Sequence, residues 1–492
     1  MQYKWTVLTV TTVGVLMSGV DGRIVVIGLP TVAAYLHADA EQAIWFTQAY
    51  TIGSTVALLF IGRVSDIVGR VKVYTLGFTV FTLGSFLTSI SFSPDTFIAA
   101  RIFQGLGSAA LFANSAAIIT DSFPTTELGR ALGINSVAFR LGSMLGLTLS
   151  GLILSVVDWR FLFYINIPVG IFGTLWARRR LHEIGQRQKG APMDWAGFAT
   201  FTLFISSFLL MLTFAAYGPG ESNVVAILGI TAAVSIGAFV KVERGRAHPL
   251  LDFSLLRIRE FAGGVTAQLL NAMAWGSFIL TVSLYLQLVK GLAPIQAGVF
   301  ILPFDIAFLL VGPASGRLSD KFGTLPFATV GLAIISTSLV LFSTVDAFTP
   351  FSTLIVYLAI GGAGMGFFVS PNMSSIMGSV PPHIRGVASG LRATFFNVGF
   401  TISFNITILV LALYVPYSLV SSIISSATGA PANVADRATL AAGLDGVYRV
   451  LALINTVAIV PSLLRGRRLP IGAGAVPDSD SNIGAEGSIP VD

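Results

Sequence analysis

Apolar residues run along this chain in blocks of about 20, the length an α-helix needs to cross roughly 30 Å of hydrocarbon, and not in the ten-residue alternation of a membrane barrel. Fourteen blocks are centred near residues 16, 52, 81, 108, 143, 169, 205, 231, 275, 306, 335, 364, 399 and 455. The pattern predicts an all-α polytopic membrane protein. The first block, Trp5 to Pro30, is followed by Ala38-Asp39-Ala40, a small-residue site of the kind that ends a signal peptide. Its apolar stretch is too long for a signal core and is interrupted by Asp21 and Arg23, so it reads as the first membrane helix.

Of the 492 residues, 54% are hydrophobic and 11% charged, against about 25% charged in an ordinary soluble domain. A water-soluble fold is excluded. The lack of cysteine also excludes disulfide scaffolds, thiolate metal sites and cysteine nucleophiles. His37, His182, His248 and His383 are scattered over different loops without a metal-ligand spacing, so no metal or cofactor is expected. The net charge of +6 is spread over loops that face anionic lipid headgroups, which makes lipid, and not nucleic acid, the expected polyvalent partner.

Cationic loops stay on the cytoplasmic side of the bilayer. With the N-terminus inside, 21 of the 29 Lys and Arg fall in inner segments. Four lie in outer loops (Arg160, Lys290, Arg437 and Arg449) and four within spans (Arg23, Arg101, Arg140 and Arg392). A multi-pass protein of the cytoplasmic (plasma) membrane with both termini in the cytoplasm is expected. The outer segment Val415 to Tyr448 reads as a loop with a short surface helix near Asp436 and Arg437, and residues 470–492, polar and without a cation, read as a disordered tail.

The chain repeats itself. Gly62-Arg-Val-Ser-Asp66-Ile-Val-Gly69 recurs as Gly316-Arg-Leu-Ser-Asp320-Lys-Phe-Gly323, 254 residues on. Gly129-x-Ala131-x-Gly133, with Gly142 nine residues further, recurs as Gly386-x-Ala388-x-Gly390 with Gly399, 257 residues on. The first pair links helix 2 to helix 10 and the second links helix 5 to helix 13, so the halves repeat in parallel over eight helices, six in a bundle and two inserted. The expected organisation is a six-helix bundle over 1–182, inserted helices 7 and 8 over 190–245, and a second six-helix bundle over 258–468. Two such halves around a midplane cavity describe a transporter plan.

Several motifs carry a family resemblance. Gly62-x-x-x-Asp66-x-x-Gly69-Arg70-x-Lys72 and Arg101-x-x-Gln104-Gly105-x-Gly107 resemble the loop and helix-4 motifs of the major facilitator superfamily. Asp21 with Leu29-Pro30, Trp159-Arg160-Phe-Leu-Phe-Tyr-Ile-Asn166-Ile-Pro168, Asp194-Trp-Ala-Gly197 and His248-Pro249-Leu-Leu-Asp252 resemble its fourteen-helix drug:proton antiporter branch. The resemblance implies proton-coupled export of amphipathic compounds by alternating access. It also implies a conformational latch at the inner ends of helices 2 to 4, formed by Gly62, Asp66, Gly69, Arg70 and Asp121, with Asp320 in the degenerate second copy. One position departs from the pattern: Leu147, in Gly142-x-x-x-Gly146-Leu147, stands where the branch has proline. The small-residue face for close helix contact is kept.

Ionisable groups inside a membrane are costly unless paired or solvated, and so mark pathways. From about 1.5 Å of rise per residue, Asp21 and Arg101 lie at similar depth and are expected to pair, which makes Asp21 and Arg101 candidates for proton coupling. Asp305, near the midplane, is a further coupling candidate, with Arg140 at comparable depth. Arg23, Arg140, Arg392, Asn114, Asn397 and Gln48 are the candidate substrate contacts. Two acids against four arginines give the cavity an excess of two positive charges, better suited to anionic or neutral amphiphiles than to lipophilic cations. Gly361-Gly-Ala-Gly364-Met-Gly366 lies in an apolar helix and reads as helix packing, and no P-loop lysine motif is present. The sequence thus predicts a monomeric secondary transporter, not an enzyme, exporting an amphipathic small molecule in exchange for protons. The alternative is an importer or symporter of an organic anion, favoured by Leu147 and the arginine excess.

Overall fold

A computed structural model of the chain describes residues 3–184, 194–215, 221–244, 253–380, 385–415 and 434–466. Its helices are α1 (Tyr3–Tyr35), α2 (Ala40–Val68), α3 (Arg70–Ser89), α4 (Pro94–Ser122), α5 (Thr125–Val156), α6 (Phe161–Arg180) and α7 (Trp195–Ala215). They continue as α8 (Ser222–Arg244), α9 (Arg259–Val289), α10 (Pro294–Phe322), α11 (Thr324–Phe342), α12 (Phe351–Gly378), α13 (Arg385–Tyr414) and α14 (Asp436–Leu464). Among the described residues thirteen helices are long and apolar enough to cross a membrane, and α2, of 29 residues, runs beside them. Every predicted centre falls inside its helix.

One boundary differs. Asp436 and Arg437 belong to the first turns of α14, so the predicted outer loop ends earlier than Tyr448. Leu440, Leu444, Val447 and Leu451 recur at helical spacing and are buried, a stripe that the surrounding Ala and Gly residues mask in the sequence. The rest of that segment, residues 416–433, and the predicted tail lie outside the described residues.

The parallel repeat is visible in the packing. In the first half α1 lies on α5, α2 on α4 and α3 on α4; in the second α9 lies on α13, α10 on α12 and α11 on α12. Both copies of the repeated motif end in the same cap. Gly69 (φ 124°) and Gly323 (φ 91°) take positive φ, a region that favours glycine, and donate N–H to Ser65 O at 2.9 Å and Ser319 O at 2.8 Å.

Within each half, missing side chains let backbones approach. A Cβ on Gly146 of α5 would meet the backbone of Val20 on α1, and one on Gly362 of α12 would meet the carbonyl of Phe304 on α10. Such small-residue faces supply the close van der Waals packing that joins helices where lipid removes the hydrophobic drive.

Chain alternation puts the ends of α1 near Tyr3, of α6 near Arg180 and of α14 near Leu464 on one face, here the terminal face. The two halves meet on the opposite face. Gly151 of α5 sits against Ile295 of α10, and Gly298 of α10 against the carbonyl of Leu147. The core cluster shared by both halves takes its first-half members, among them Ile24, Phe46, Leu147 and Trp159, from that side of the bundle. Toward the terminal face, Gly62, Gly133 and Gly390 have nothing within 4 Å of where a side chain would begin. The molecule is therefore closed on the opposite face.

The inserted hairpin seats on the seam between halves, with α7 packed on both α2 and α13. Thr213 of α7 donates to Asn405 Oδ1 at 2.6 Å and Gln48 Oε1 at 3.3 Å, and Gln48 Nε2 donates to the same Asn405 oxygen at 3.1 Å. Three helices are pinned by one buried polar knot.

This packing separates two glycines by consequence. Gly146→Val forces backbone apart at the α1–α5 contact and should cost about 1–3 kcal/mol, read as a lowered midpoint of thermal unfolding in detergent. Gly133→Val, with open space before it, should leave that midpoint unchanged.

Candidate functional site

The ionisable groups within the membrane form two separate constellations. The first is closed. Asp21 of α1 is 0% exposed and Arg101 of α4 is 1% exposed. Arg101 Nη1 donates to Asp21 Oδ2 at 2.7 Å and to Gln104 Oε1 at 2.5 Å. Gln104 Nε2 donates to Asp21 Oδ1 at 2.8 Å and Ser85 Oγ at 2.6 Å, and Asn166 Nδ2 donates to Asp21 Oδ1 at 2.9 Å. The guanidinium also stacks over Tyr50 at 4.3 Å. Every one of these groups, on α1, α2, α3, α4 and α6, belongs to the first bundle. The network fastens five helices into one body, and a rigid-body motion of one half against the other leaves it intact.

The second constellation spans the halves. Asp305 of α10 is buried, its Oδ2 has no hydrogen-bond partner, and the charges acting on it are those of Arg23 on α1 and Arg140 on α5. Both arginines reach across to aromatic rings of the second half. Arg140 lies 4.3 Å from the Phe308 ring centroid and Arg23 lies 6.0 Å from that of Phe400. Arg392, on α13, has a buried Nε without a partner. One acid therefore faces two arginines in this space, with the Asp21–Arg101 pair withdrawn from it.

The polar candidates go elsewhere. Asn114 is buried and donates to Ala110 O at 2.8 Å, and Asn397 donates to Ala393 O at 2.9 Å, so each amide is satisfied by the backbone of its own helix. Gln48 lies in the α2–α7–α13 knot and not in the central space. Apolar surroundings draw each amide to the nearest carbonyl or amide.

At the terminal face Arg70 Nη1 meets Asp121 Oδ1 at 2.7 Å, joining the start of α3 to the end of α4. Gly69 turns the chain between α2 and α3, while Gly62 has open space before it. The side chains of Asp66 and Asp320 lie outside the described residues.

Sequence reasoning did not single out Gln104, Asn166 and Ser85 as the completion of the first network, nor Phe308 and Phe400 as partners of the arginines. A signal for the first existed, because Arg101 and Gln104 stand three apart and share a helix face. None existed for the rings, whose rotational position depends on how the halves meet.

Two repeated helical bundles around a charged central space define a polytopic membrane carrier. The Major Facilitator Superfamily pattern matches residues 11–404, and the chain belongs to that family. It is a multi-pass secondary transporter of small organic molecules on a non-catalytic fold. It is 33% identical over 402 residues to the riboflavin transporter RibZ of Clostridioides difficile (strain 630), covering 82% of this chain and 87% of that one. It is 29% identical over 399 residues to multidrug resistance protein 3 of Bacillus subtilis (strain 168), covering 80% and 77%. Among solved structures, a bacterial homolog of the human lysosomal transporter Spinster, inward-facing and unoccupied, matches with a TM-score of 0.66 at 14% identity, over 94% of this chain and 97% of that one.

The closed network makes a stability prediction. Arg101→Ala or Asp21→Ala strands a buried charge and should cost about 3–5 kcal/mol, seen as a large fall in the thermal midpoint. Asp21→Ala/Arg101→Ala should lose clearly less than the two single losses added, the mark of direct coupling.

Proposed function

We propose that this protein exports an amphipathic organic compound in exchange for protons, with Asp305 as the coupling carboxyl. The observation that carries the reading is its position: a buried carboxylate of one half, without a hydrogen-bond partner on Oδ2 among the described residues, under the charges of two arginines from the other half. When the halves rock, Arg23 and Arg140 move relative to Asp305. A carboxylate that loses nearby cations in an apolar setting gains proton affinity, and one that regains them releases its proton. Asp21 offers no such change, because its partners travel with it.

The terminal face carries most of the cationic loop residues, so we assign it to the cytoplasm, and the state closed on the opposite face is then closed outward. The start of α1 and the end of α14 lie on the terminal face. The Arg70–Asp121 pair, internal to one bundle, holds the α2–α3 turn in register as that face opens and closes. Relatives named for multidrug resistance support membership in the drug:proton branch and an export direction, and the riboflavin transporter supports a substrate with an aromatic ring system. The arginine excess and the buried Leu147 at the helix-5 proline position support a second reading, import or symport of an organic anion.

Proteoliposomes with an internal pH dye and a panel of cationic, neutral and anionic amphiphiles test this. Substrate-dependent proton movement opposite to substrate is expected in the native chain and in Asp21→Asn protein that remains folded. Asp305→Asn should abolish it while counterflow of labelled substrate persists. Proton movement retained in Asp305→Asn overturns the assignment, and protons moving with the substrate favour the symport reading.

A further inference from the structure

We propose that the α13 face bearing Arg392, Phe396 and Phe400 is the substrate seat, and that it selects aromatic compounds carrying a carboxylate or similar planar anion. The inference rests on the transporter reading above and adds the chemical class that the carrier takes.

Residues 392, 396 and 400 stand four apart, and so line one face of α13. Phe396 and Phe400 lie 6.0 Å apart, centroid to centroid, and Phe400 meets the guanidinium of Arg23 across the central space. This stripe therefore looks into the region between the halves. Eight residues of helix rise about 12 Å, the length of a ligand of two or three fused rings.

Arg392 differs from the other membrane arginines. Arg101 has Asp21, and Arg23 and Arg140 share Asp305. Arg392 makes no ion pair among the described residues, and its Nε is buried without a partner. Burying an unpaired guanidinium donor is costly, and a ligand oxygen offsets that cost where none of the protein's own does. A planar carboxylate accepts two parallel N–H bonds from such a fork. The ring body of the same ligand lies along Phe396 and Phe400. A cationic ligand meets instead an arginine that makes no ion pair among the described residues, and is repelled.

Equilibrium binding to the purified full-length chain in detergent tests this, with anthracene-2-carboxylate, its amide and its methylammonium analogue as fluorescent probes. The carboxylate is expected to bind at least ten-fold more tightly than the other two. Arg392→Gln should bring it down to the amide, and Arg392→Lys should keep part of the preference, each variant checked for an unchanged thermal midpoint. Equal or tighter binding of the ammonium probe, no binding of any probe, or a preference surviving Arg392→Gln overturns the proposal. Competition by short-chain phosphatidylglycerol but not by free benzoate would make Arg392 a lipid-headgroup contact and overturn it as well. No proton gradient enters this measurement, so failure of Asp305 as the coupling group leaves the charge preference standing, and loss of the preference leaves proton coupling standing.

Discussion

A charge inside hydrocarbon must be paired or solvated, and the way this chain meets that demand divides the molecule. The first bundle answers it internally: Asp21 receives three donors, from Arg101, Gln104 and Asn166, with the guanidinium stacked on Tyr50. Bundling helices through a fully satisfied buried network gives a stiff body, since breaking any member strands the others. The second bundle uses neutral groups for the same purpose. Asn455 on α14 donates to Leu332 O at 2.9 Å and Ser336 Oγ at 3.0 Å on α11, and accepts from Asn271 on α9 at 2.9 Å. Two stiff bodies leave the boundary between them as the place where motion is cheapest.

At that boundary the demand is met only in part. Asp305, Arg23 and Arg140 share a space in which cations outnumber the acid, and aromatic rings take up some of the difference. On the closed side, Gly151 and Gly298 allow backbone contact between α5 and α10, while the Gln48–Asn405–Thr213 knot ties the inserted hairpin to α2 and α13. Thr55 and Thr401 meet at 3.2 Å one turn or two further along the same α2–α13 seam. These contacts are small and polar or small and backbone-mediated. They flank the apolar cluster that the two halves share on that side.

Much of this was legible in the sequence. Twenty-residue apolar blocks locate all fourteen helices, and the 254-residue offset between Gly69 and Gly323 becomes the same positive-φ cap in both halves. Depth arithmetic brings Asp21 to Arg101, and the family resemblance brings Arg70 to Asp121. Depth says nothing of rotation about a helix axis, however, and rotation decides which residues face the cavity. It turns Asn114 and Asn397 onto their own backbones, sends Gln48 to the hairpin seam, and puts Arg23 beside Asp305, where only Arg140 was expected. The start of α14 was hidden for a related reason: Ala and Gly between its buried leucines blur the contrast that marks a helix face.

The distinction between a fixed carboxylate and a switching one is open to direct observation. Infrared spectroscopy of the full-length protein in lipid follows the carboxyl C=O stretch as pH is varied. A titrating band from within the membrane is expected that disappears in Asp305→Asn and shifts in Arg23→Gln. A titrating band that survives in Asp305→Asn and vanishes in Asp21→Asn would contradict that expectation.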